Sequence, residues 1–223
     1  MLTTDFLQYF YELSQNNNKD WFERNKPRYE ATVKKPFEAT VAGVIQRIGA
    51  FDPAYAPLTP KDCIFRIYRD VRFSADKTPY KTHVSAAFSL KNKKLAVSAD
   101  YSGYYLQIGF GNLLIGGGAY ALDKPALQKV RTAILQDPTT FRALLAEPDF
   151  VAKYGELQGE RNKVMPPEFK EAVKQEPLLA MKQFYFMAEM DPEAILRPDF
   201  PDFVADYFRA GQGVNDWLRG VVG

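Results

Sequence analysis

The stretch FRIYRDVRFSADKTPYKTH, residues 65–83, combines many charged side chains with the apolar alternation of a β-strand. From Ile64 to Phe73, successive side chains would fall on opposite faces of such a strand. One face is apolar except for Arg69, and the other carries two arginines on either side of Asp70. Because an unpaired buried charge costs several kcal/mol, we expect Arg69 to have a partner or to reach a polar pocket. The pattern predicts a sheet strand that also carries a charged site.

Residues 74–79, SADKTP, predict a turn after this strand. Serine, aspartate and proline favour turns, and Pro79 pushes the preceding Thr78 towards an extended conformation. Between Lys61 and His83 there are six basic and three acidic side chains, a local charge of +3, whereas the whole chain carries +2. The basic character is therefore local to this segment.

Two interpretations of this charge are open. In the first, the segment binds the phosphate or carboxylate of an anionic small molecule, because arginine and lysine donate charge-assisted hydrogen bonds. Its candidate ligand-binding residues are Arg66, Arg69, Arg72, Lys77 and Lys81. In the second, the charges are structural, with an arginine paired to Asp70 and a lysine paired to Asp76. The local basic excess and the position of Arg69 favour the first.

Two further functional hypotheses use the same segment differently. An enzyme, a hydrolase or transferase acting on a phosphate or carboxylate substrate, would use an aspartate as general base, a histidine or tyrosine as acid, and arginines to stabilise charge. Its candidate catalytic residues are Asp70, Asp76, His83 and Tyr80. A protein-interaction module would use the charges only for structure and would expose a broad apolar patch elsewhere. The sequence does not decide whether the protein is an enzyme.

Composition restricts the class of protein. The 223 residues are 46% hydrophobic and 25% charged, which is typical of a globular chain, and we predict one domain over residues 1–223. A net charge of +2 argues against a dedicated nucleic-acid binder. No apolar run approaches the ~18 residues of a membrane span, and the N-terminal sequence lacks a signal-peptide pattern. We therefore expect a cytoplasmic protein without a membrane partner.

Metal and cofactor sites of the usual kinds are not predicted. The chain has one cysteine, Cys63, and one histidine, His83, which are too few ligands for a usual zinc site. No acidic cluster has a spacing suited to an oxygen-ligated metal. No glycine motif opens a helix in the way that phosphate or dinucleotide binding requires.

The order of elements predicts an α+β fold, with an antiparallel meander over about residues 64–118 packed against N-terminal and C-terminal helices. The strands predicted after the charged stretch are Val84–Leu90, Leu95–Asp100, Tyr104–Phe110 and Leu113–Gly117, with turns at Lys91–Lys94 and Gly111–Asn112. The predicted helices include Asp5–Leu13, Pro36–Ile48, Asp123–Leu135, Leu178–Met190, Phe200–Arg209 and Val214–Val221.

Short motifs predict local structure within this order. Residues 16–22, NNNKDWF, indicate a turn and a capped helix with an aromatic anchor, and the alternative is that an asparagine amide and Lys19 contribute to a ligand pocket. Pro27 and Pro36 each indicate the first position of a new helix. The triple glycine 116–118 indicates a bulge or a close approach of the backbone, and we favour a tight turn over a ligand cradle.

Several of these stretches together resemble the domain of unknown function 2461 family, conserved hypothetical proteins mainly of bacteria and fungi. The matching segments are NNNKDWF at 16–22, FRIYRDVRFSADKTPYKTH at 65–83, GYYLQI at 103–108, GGGAY at 116–120 and LQKVRTAI at 127–134, together with the region of Met181 and Lys182. The resemblance covers most of the chain. It implies a single-domain cytoplasmic protein, directs attention to residues 65–83, and implies no particular activity.

The chain departs from this resemblance between residues 159 and 177. Proteins of the family typically have a more basic Lys-Arg…Pro-Lys-Gly-Phe pattern, whereas this chain has Pro167 and Glu168 in place of the Lys-Gly pair. Glu176 and Pro177 stand where the family often has His-Pro. If those positions serve a ligand in the family, that part of a site is altered here.

Overall fold

The computed structural model of the protein describes residues 1–90 and 102–222. Within these residues, four strands form one antiparallel sheet in the order β1-β2-β3-β4. The strands are β1 (His83–Phe88), β2 (Gly103–Gly109), β3 (Leu113–Ala119) and β4 (Phe184–Met190). The predicted strand Leu95–Asp100 and the predicted turn Lys91–Lys94 lie outside the described residues. The α+β class predicted from the sequence is confirmed.

Helices precede and follow the first three strands. They are α1 (Thr4–Gln15), α2 (Lys19–Arg28), α3 (Lys35–Phe51), α4 (Pro60–Cys63), α5 (Lys124–Gln136), α6 (Pro138–Leu145), α7 (Pro148–Tyr154), α8 (Phe200–Ala210) and α9 (Gln212–Val222). A π-helical segment, Tyr29–Lys34, joins α2 to α3, and short 3-10 turns lie at Pro53–Tyr55, Pro167–Phe169, Ala172–Lys174, Pro177–Ala180 and Pro192–Leu196.

The chain forms two compact units. The first comprises Met1–Phe88, Tyr105–Ile115 and Glu189–Asp206. The second comprises Ser89–Tyr104, Gly116–Ala188 and Tyr207–Gly223. The prediction of a single domain stays a prediction.

In the first unit, α1 and α3 each bury an apolar stripe. Phe6, Phe10 and Leu13 of α1 are buried, and α3 buries a longer stripe. The buried apolar residues of α3 are Phe37, Val41, Val44, Ile45 and Ile48. These positions recur every three or four residues, so each set lies along one face of its helix. The stripes account for much of the apolar interior of this unit.

The two prolines of this region lie in one continuous helical run from Lys19 to Phe51. The prediction that Pro27 begins a new helix is wrong, because Pro27 lies inside α2, whereas Pro36 does lie in the first turn of α3. Proline lacks an N–H donor, and its ring presses on the carbonyl four residues earlier. The wider π turn before Pro36 accommodates the missing N–H donor. In this turn, the Lys35 N–H donates to the Glu30 carbonyl, five residues earlier.

The prediction of a helix over Leu178–Met190 is wrong. Residues 184–190 form β4, and a 3-10 turn covers Pro177–Ala180. Phe184 and Phe186 are buried while their neighbours are partly exposed, a period of two that fits a strand. Leucine, methionine and alanine favour helices in isolation, but pairing in the sheet overrides this weak preference.

The triple glycine lies within β3, so the tight turn that we favoured is wrong, whereas the close approach of backbone is confirmed. Gly118 has φ +97°, and a Cβ atom added there would stand 2.6 Å from the Cα of Tyr185 in β4. A Cβ added at Gly117 would stand 2.6 Å from the Gly103 carbonyl oxygen. Side chains at these positions would separate the paired strands.

Replacing Gly118 with alanine tests this packing. Gly118→Ala combines a left-handed backbone with a clash against β4, so we expect it to lower the free energy of unfolding by about 3 kcal/mol. Gly111→Ala is the matched control, because a Cβ atom there meets nothing within 4 Å, and we expect a change below about 0.5 kcal/mol. Urea denaturation measures both, and equal losses would contradict the proposed cause.

Candidate functional site

The charged stretch pairs with the chain that follows it, but only over its first half. Ile64 forms an antiparallel bridge with Ala86, and Tyr68 forms one with Tyr80. The last backbone bond of this pairing joins the Arg69 N–H to the Pro79 carbonyl at 2.9 Å. Beyond this point the chain forms turns and bends. The predicted strand Ile64–Phe73 therefore reaches only to Arg69, and as two isolated bridges rather than as a regular strand.

The early end of the pairing changes which side chains are buried. Ile67 is buried, whereas Phe73, which the alternation assigns to the same face, is 96% exposed. The predicted apolar face is thus wrong at its far end. Pairing is what creates a sheet face, so residues beyond the last bridge have no face against which to pack.

The pairing also contains an irregularity at Arg66. The two bridges are four residues apart on the first segment and six residues apart on the second. Backbone hydrogen bonds to the second segment lie on either side of Arg66, at Phe65 and Ile67. Three residues of the second segment, 82–84, therefore lie opposite Arg66. Such a bulge bends the strand locally and redirects side chains. It places His83 in the irregular part of the pairing.

Arg69 holds the turn that follows. Its guanidinium donates to Asp76 Oδ2 at 2.5 Å and to the Thr78 carbonyl at 3.1 Å, and also to the Thr78 hydroxyl. The Arg69 side chain is 25% exposed. Hydrogen bonds from Thr78, and then from Arg69, lower the pKa of Asp76. The partner that the sequence predicts for Arg69 is present, and Asp76 pairs with an arginine rather than with the lysine expected in the ion-pair interpretation.

A second ion pair lies at the exposed end of the same segment. Arg72 donates to both oxygens of Asp70, at 2.9 and 2.7 Å. These hydrogen bonds lower the pKa of Asp70 to about 2. Lys77 donates to the Val71 carbonyl at 3.0 Å. Of the five predicted ligand-binding residues, Arg69, Arg72 and Lys77 thus have contacts inside the turn.

Arg66, Lys81 and His83 differ from those residues, and we call them the basic cluster. The Lys81 ammonium is half-buried and lies 5.2 Å from the centre of the Phe65 ring. Burial lowers the pKa of Lys81, and the exposed Arg66 lowers it further. Burial, and then Lys81, lower the pKa of His83 to about 4. The second cause of each shift, after burial, is a neighbouring cation, so the local potential is positive.

The predicted catalytic residues do not form one acid–base constellation in these contacts. Asp70 and Asp76 each bind an arginine. Tyr80 is buried and stacks on Phe22, with ring centres 4.0 Å apart, and burial raises its pKa. His83 is neutral at pH 7, because burial and then Lys81 lower its pKa.

The sequence offers an asparagine amide of residues 16–18 for a ligand pocket, and the structure instead pairs the Asn17 amide with the backbone of Tyr80. The Asn17 side-chain amide donates to the Tyr80 carbonyl at 2.9 Å and accepts from the Tyr80 N–H at 3.1 Å. The next residue, Asn18, accepts from the Trp21 N–H and caps the start of α2, which confirms the predicted capped helix. Three consecutive asparagines were the available signal, because an asparagine amide presents the same donor and acceptor as a peptide group.

The single cysteine of the chain lies in the protein interior. Cys63 is buried, and burial raises its pKa to about 12, so the thiol is protonated at neutral pH. Among residues 1–90 and 102–222, no group of three or more histidine, cysteine, aspartate or glutamate side chains could hold a metal ion. No helix in the same ranges is both long and apolar enough to cross a membrane.

The two glutamates that depart from the family pattern have contacts within the second unit. Glu168 accepts from the Gln128 side chain at 3.2 Å and interacts electrostatically with the buried Arg131. Glu176 is buried, accepts from the Leu178 N–H at 3.2 Å and lies 2.8 Å from Arg142 Nε. Both carboxylates therefore have a structural use in this chain.

Comparisons with known proteins agree with the resemblance seen in the sequence. The model of the family described as conserved hypothetical protein (DUF2461) matches residues 5–217. No curated protein and no solved structure matches the chain.

Replacing Asn17 with alanine tests the contribution of its hydrogen bonds to stability. Asn17→Ala leaves the Tyr80 N–H and carbonyl without these partners, so we expect a loss of about 1–3 kcal/mol in the free energy of unfolding. Asn16→Ala is the matched control, because Asn16 makes one exposed bond to the Glu12 carbonyl. Denaturant unfolding measures both variants. Equal effects would show that the contact with Tyr80 has no special weight.

The single histidine allows a direct measurement of the basic cluster. We expect the imidazole proton signal of His83 to titrate near pH 4, and Lys81→Met to raise this pKa towards the ordinary 6.5 without reaching it, because burial remains. Since the unfolded chain takes up the proton first, His83 should also make the protein less stable as pH falls from 6.5 to 4. Lys77→Met is the control and should leave the titration unchanged. A wild-type midpoint near 6.5 would contradict this account.

Proposed function

We propose that this protein, which belongs to the conserved hypothetical protein family DUF2461, binds a small anion at the basic cluster of Arg66, Lys81 and His83. The ligand class is a phosphate or carboxylate compound. One observation carries the proposal: burial lowers the pKa of Lys81 and Arg66 lowers it further, so a second cation lies close to the half-buried ammonium. Bringing two cations together costs free energy, and an anion between them would reverse that cost.

The chemistry of the cluster suits an oxyanion. Arg66 is exposed and can approach a ligand, while Lys81 is a point charge partly removed from water. Partial burial strengthens the attraction between Lys81 and an anion, because fewer water molecules compete. Neutral His83 keeps one N–H donor, which adds a hydrogen bond without adding charge. Together these groups supply two positive charges and several donors.

The proposed site uses only some of the basic residues in the segment. The contacts of Arg69, Arg72 and Lys77 inside the turn support a structural role for them. The turn would then support the paired segment that carries Arg66 and Lys81.

Catalysis is not part of this proposal. The enzyme hypothesis requires a free carboxylate near His83, and both candidate aspartates have arginine partners. An aspartate whose pKa is about 2, such as Asp70, is also a weak base at neutral pH.

A single domain and a cytoplasmic location remain proposals from the sequence. The composition of the chain supports the first. The second is supported by the single cysteine, Cys63, which suits a reducing compartment.

Titration of inorganic phosphate and phenyl phosphate, followed by calorimetry and by the His83 imidazole signal, tests the proposal. We expect saturable binding that raises the pKa of His83, because a bound anion stabilises the imidazolium. Arg66→Gln and Lys81→Met should each weaken binding about tenfold or more, since a hydrogen bond to a charged group contributes about 1.5–3 kcal/mol.

Arg72→Gln is the matched control for this experiment. It removes an arginine from the same segment whose guanidinium is bound to Asp70, and we expect unchanged affinity. Binding that all three variants weaken equally would show a diffuse charge effect, and no saturation with either phosphate would reject the site. Circular dichroism confirms that each variant is folded.

A further inference from the structure

Phe73 is 96% exposed, more than any other large apolar side chain among the described residues. It lies beyond the paired segment, in residues 70–78, which we call the Phe73 turn. Single exposed apolar residues are common on protein surfaces. The surroundings of Phe73 therefore decide whether its exposure has a use.

The Phe73 turn is closed by hydrogen bonds of its own. Lys77 Nζ donates to the Val71 carbonyl at 3.0 Å, and the Ser74 N–H donates to the same carbonyl at 3.4 Å. These bonds bring the two ends of residues 71–77 together, with Phe73 between them. The exposure of the ring is thus a property of a closed turn and not of a fraying chain end.

Phe73 lies beside a series of interacting charged groups. The Arg72 guanidinium lies 5.8 Å from the centre of the Phe73 ring. Hydrogen bonds from Arg72 are the main cause of the low pKa of Asp70, and Arg66 lowers that pKa further. After burial, Arg66 is also the second cause of the lowered pKa of Lys81. Arg66 is therefore an electrostatic neighbour of both the Phe73 turn and Lys81.

The charge of this surface is positive overall. Residues 66–81 contain five basic and two acidic side chains, a net charge of +3. Both acidic side chains pair with arginines. No ion pair with a described residue balances Arg66, Lys77 or Lys81. An exposed aromatic ring and an excess of positive charge thus belong to the same short segment.

This combination suits the surface of an anionic lipid bilayer. Aromatic side chains are favoured at the level of the headgroups, and lysine and arginine are attracted to anionic lipids. Headgroups cover an extended surface, so the charges need not converge on one point. The Val71 carbonyl already has donors within the turn, which matters where water is scarce.

A protein partner is less well supported by the same observations. A stable protein interface buries about 800 Å² on each partner around a largely apolar centre. Within residues 65–83, only Tyr68 and Phe73 are exposed large apolar side chains. They provide too little apolar surface for such a centre, whereas a bilayer supplies the apolar region itself.

We propose that the Phe73 turn docks on an anionic lipid surface, where the Phe73 ring enters the headgroup region and Arg66, Arg72 and Lys77 lie over anionic headgroups. The expectation that the protein has no membrane partner rests on the lack of a spanning segment and of a signal peptide, and a surface contact requires neither. The contact does not depend on phosphate binding at the basic cluster.

Cosedimentation with lipid vesicles tests the proposal. One set contains equal parts of phosphatidylcholine and phosphatidylserine, and the other contains phosphatidylcholine alone. We expect reversible binding to the anionic vesicles at low salt and no binding to the neutral ones. High salt should abolish the binding, because mobile ions screen the exposed charges.

Two substitutions separate the ring from the charge. Phe73→Ser should weaken vesicle binding about fivefold or more, because the apolar contact is lost. Arg72→Gln should weaken it about fivefold, the contribution expected of one basic residue near an anionic surface. Phe110→Ser is the matched control: Phe110 is 49% exposed in the turn between β2 and β3, and residues 101–122 contain no charged side chain. Vesicle binding should be unchanged in this variant, and circular dichroism confirms that each variant is folded.

A fluorescent label reports directly whether the turn enters the bilayer. Ala75 is exposed, so Ala75→Cys accepts a polarity-sensitive dye, whereas the native Cys63 is buried. The dye emission should shift to shorter wavelength on anionic vesicles. Gly111→Cys is the control position, because a Cβ atom there meets nothing within 4 Å, and its label should not shift.

Phosphate titration of the same variants distinguishes this proposal from the site at the basic cluster. Phe73→Ser should leave phosphate affinity unchanged, and a protein that binds vesicles without binding phosphate would refute only the basic cluster. The lipid proposal is overturned if the wild type does not bind anionic vesicles or if Phe73→Ser binds them equally well. Binding of poly-L-glutamate that also falls in Phe73→Ser would overturn it in favour of an acidic protein surface.

Discussion

The antiparallel pairing of residues 64–69 with residues 79–86 is the interaction on which the functional part of the first unit depends. It fixes the position of Tyr80, whose backbone also binds the Asn17 amide and whose ring stacks on Phe22. Alternation along the paired segment sends neighbouring side chains to opposite faces. The Tyr80 ring therefore joins the aromatic group, whereas Lys81 joins the basic cluster. One short backbone ladder thus positions two chemically different surfaces.

The charges in this unit fall into two groups with different meanings. Arg69 and Arg72 have carboxylate partners, and such pairs shape the turn at little net cost in water. Lys81 instead lies beside another cation. This arrangement opposes folding unless another group offsets it. A cation held beside another cation indicates a ligand more strongly than the number of charges in the segment does. Charges that already have partners are explained by the fold.

The second unit shows how strongly strand pairing can override local preference. The sequence of β4 is compatible with a helix, yet glycines 116–118 of β3 let the two backbones come together. A side chain at Gly118 would meet Tyr185 at a distance that no real packing shows. The glycines and β4 are more than sixty residues apart in the sequence, so no local pattern connects them. Their proximity is a property of the folded chain.

The sequence by itself determined the α+β class, the apolar stripes of α1 and α3, and the need of Arg69 for a partner. Each follows from a local rule, either a helical period or the cost of an unpaired charge. Only the tertiary structure decided where the charged strand ends, that Asn17 binds Tyr80, and which basic residues lie beside one another. These outcomes depend on contacts between distant segments. Hydrogen-bond and charge energies depend on distance and burial in three dimensions, and a sequence specifies neither until the chain has folded.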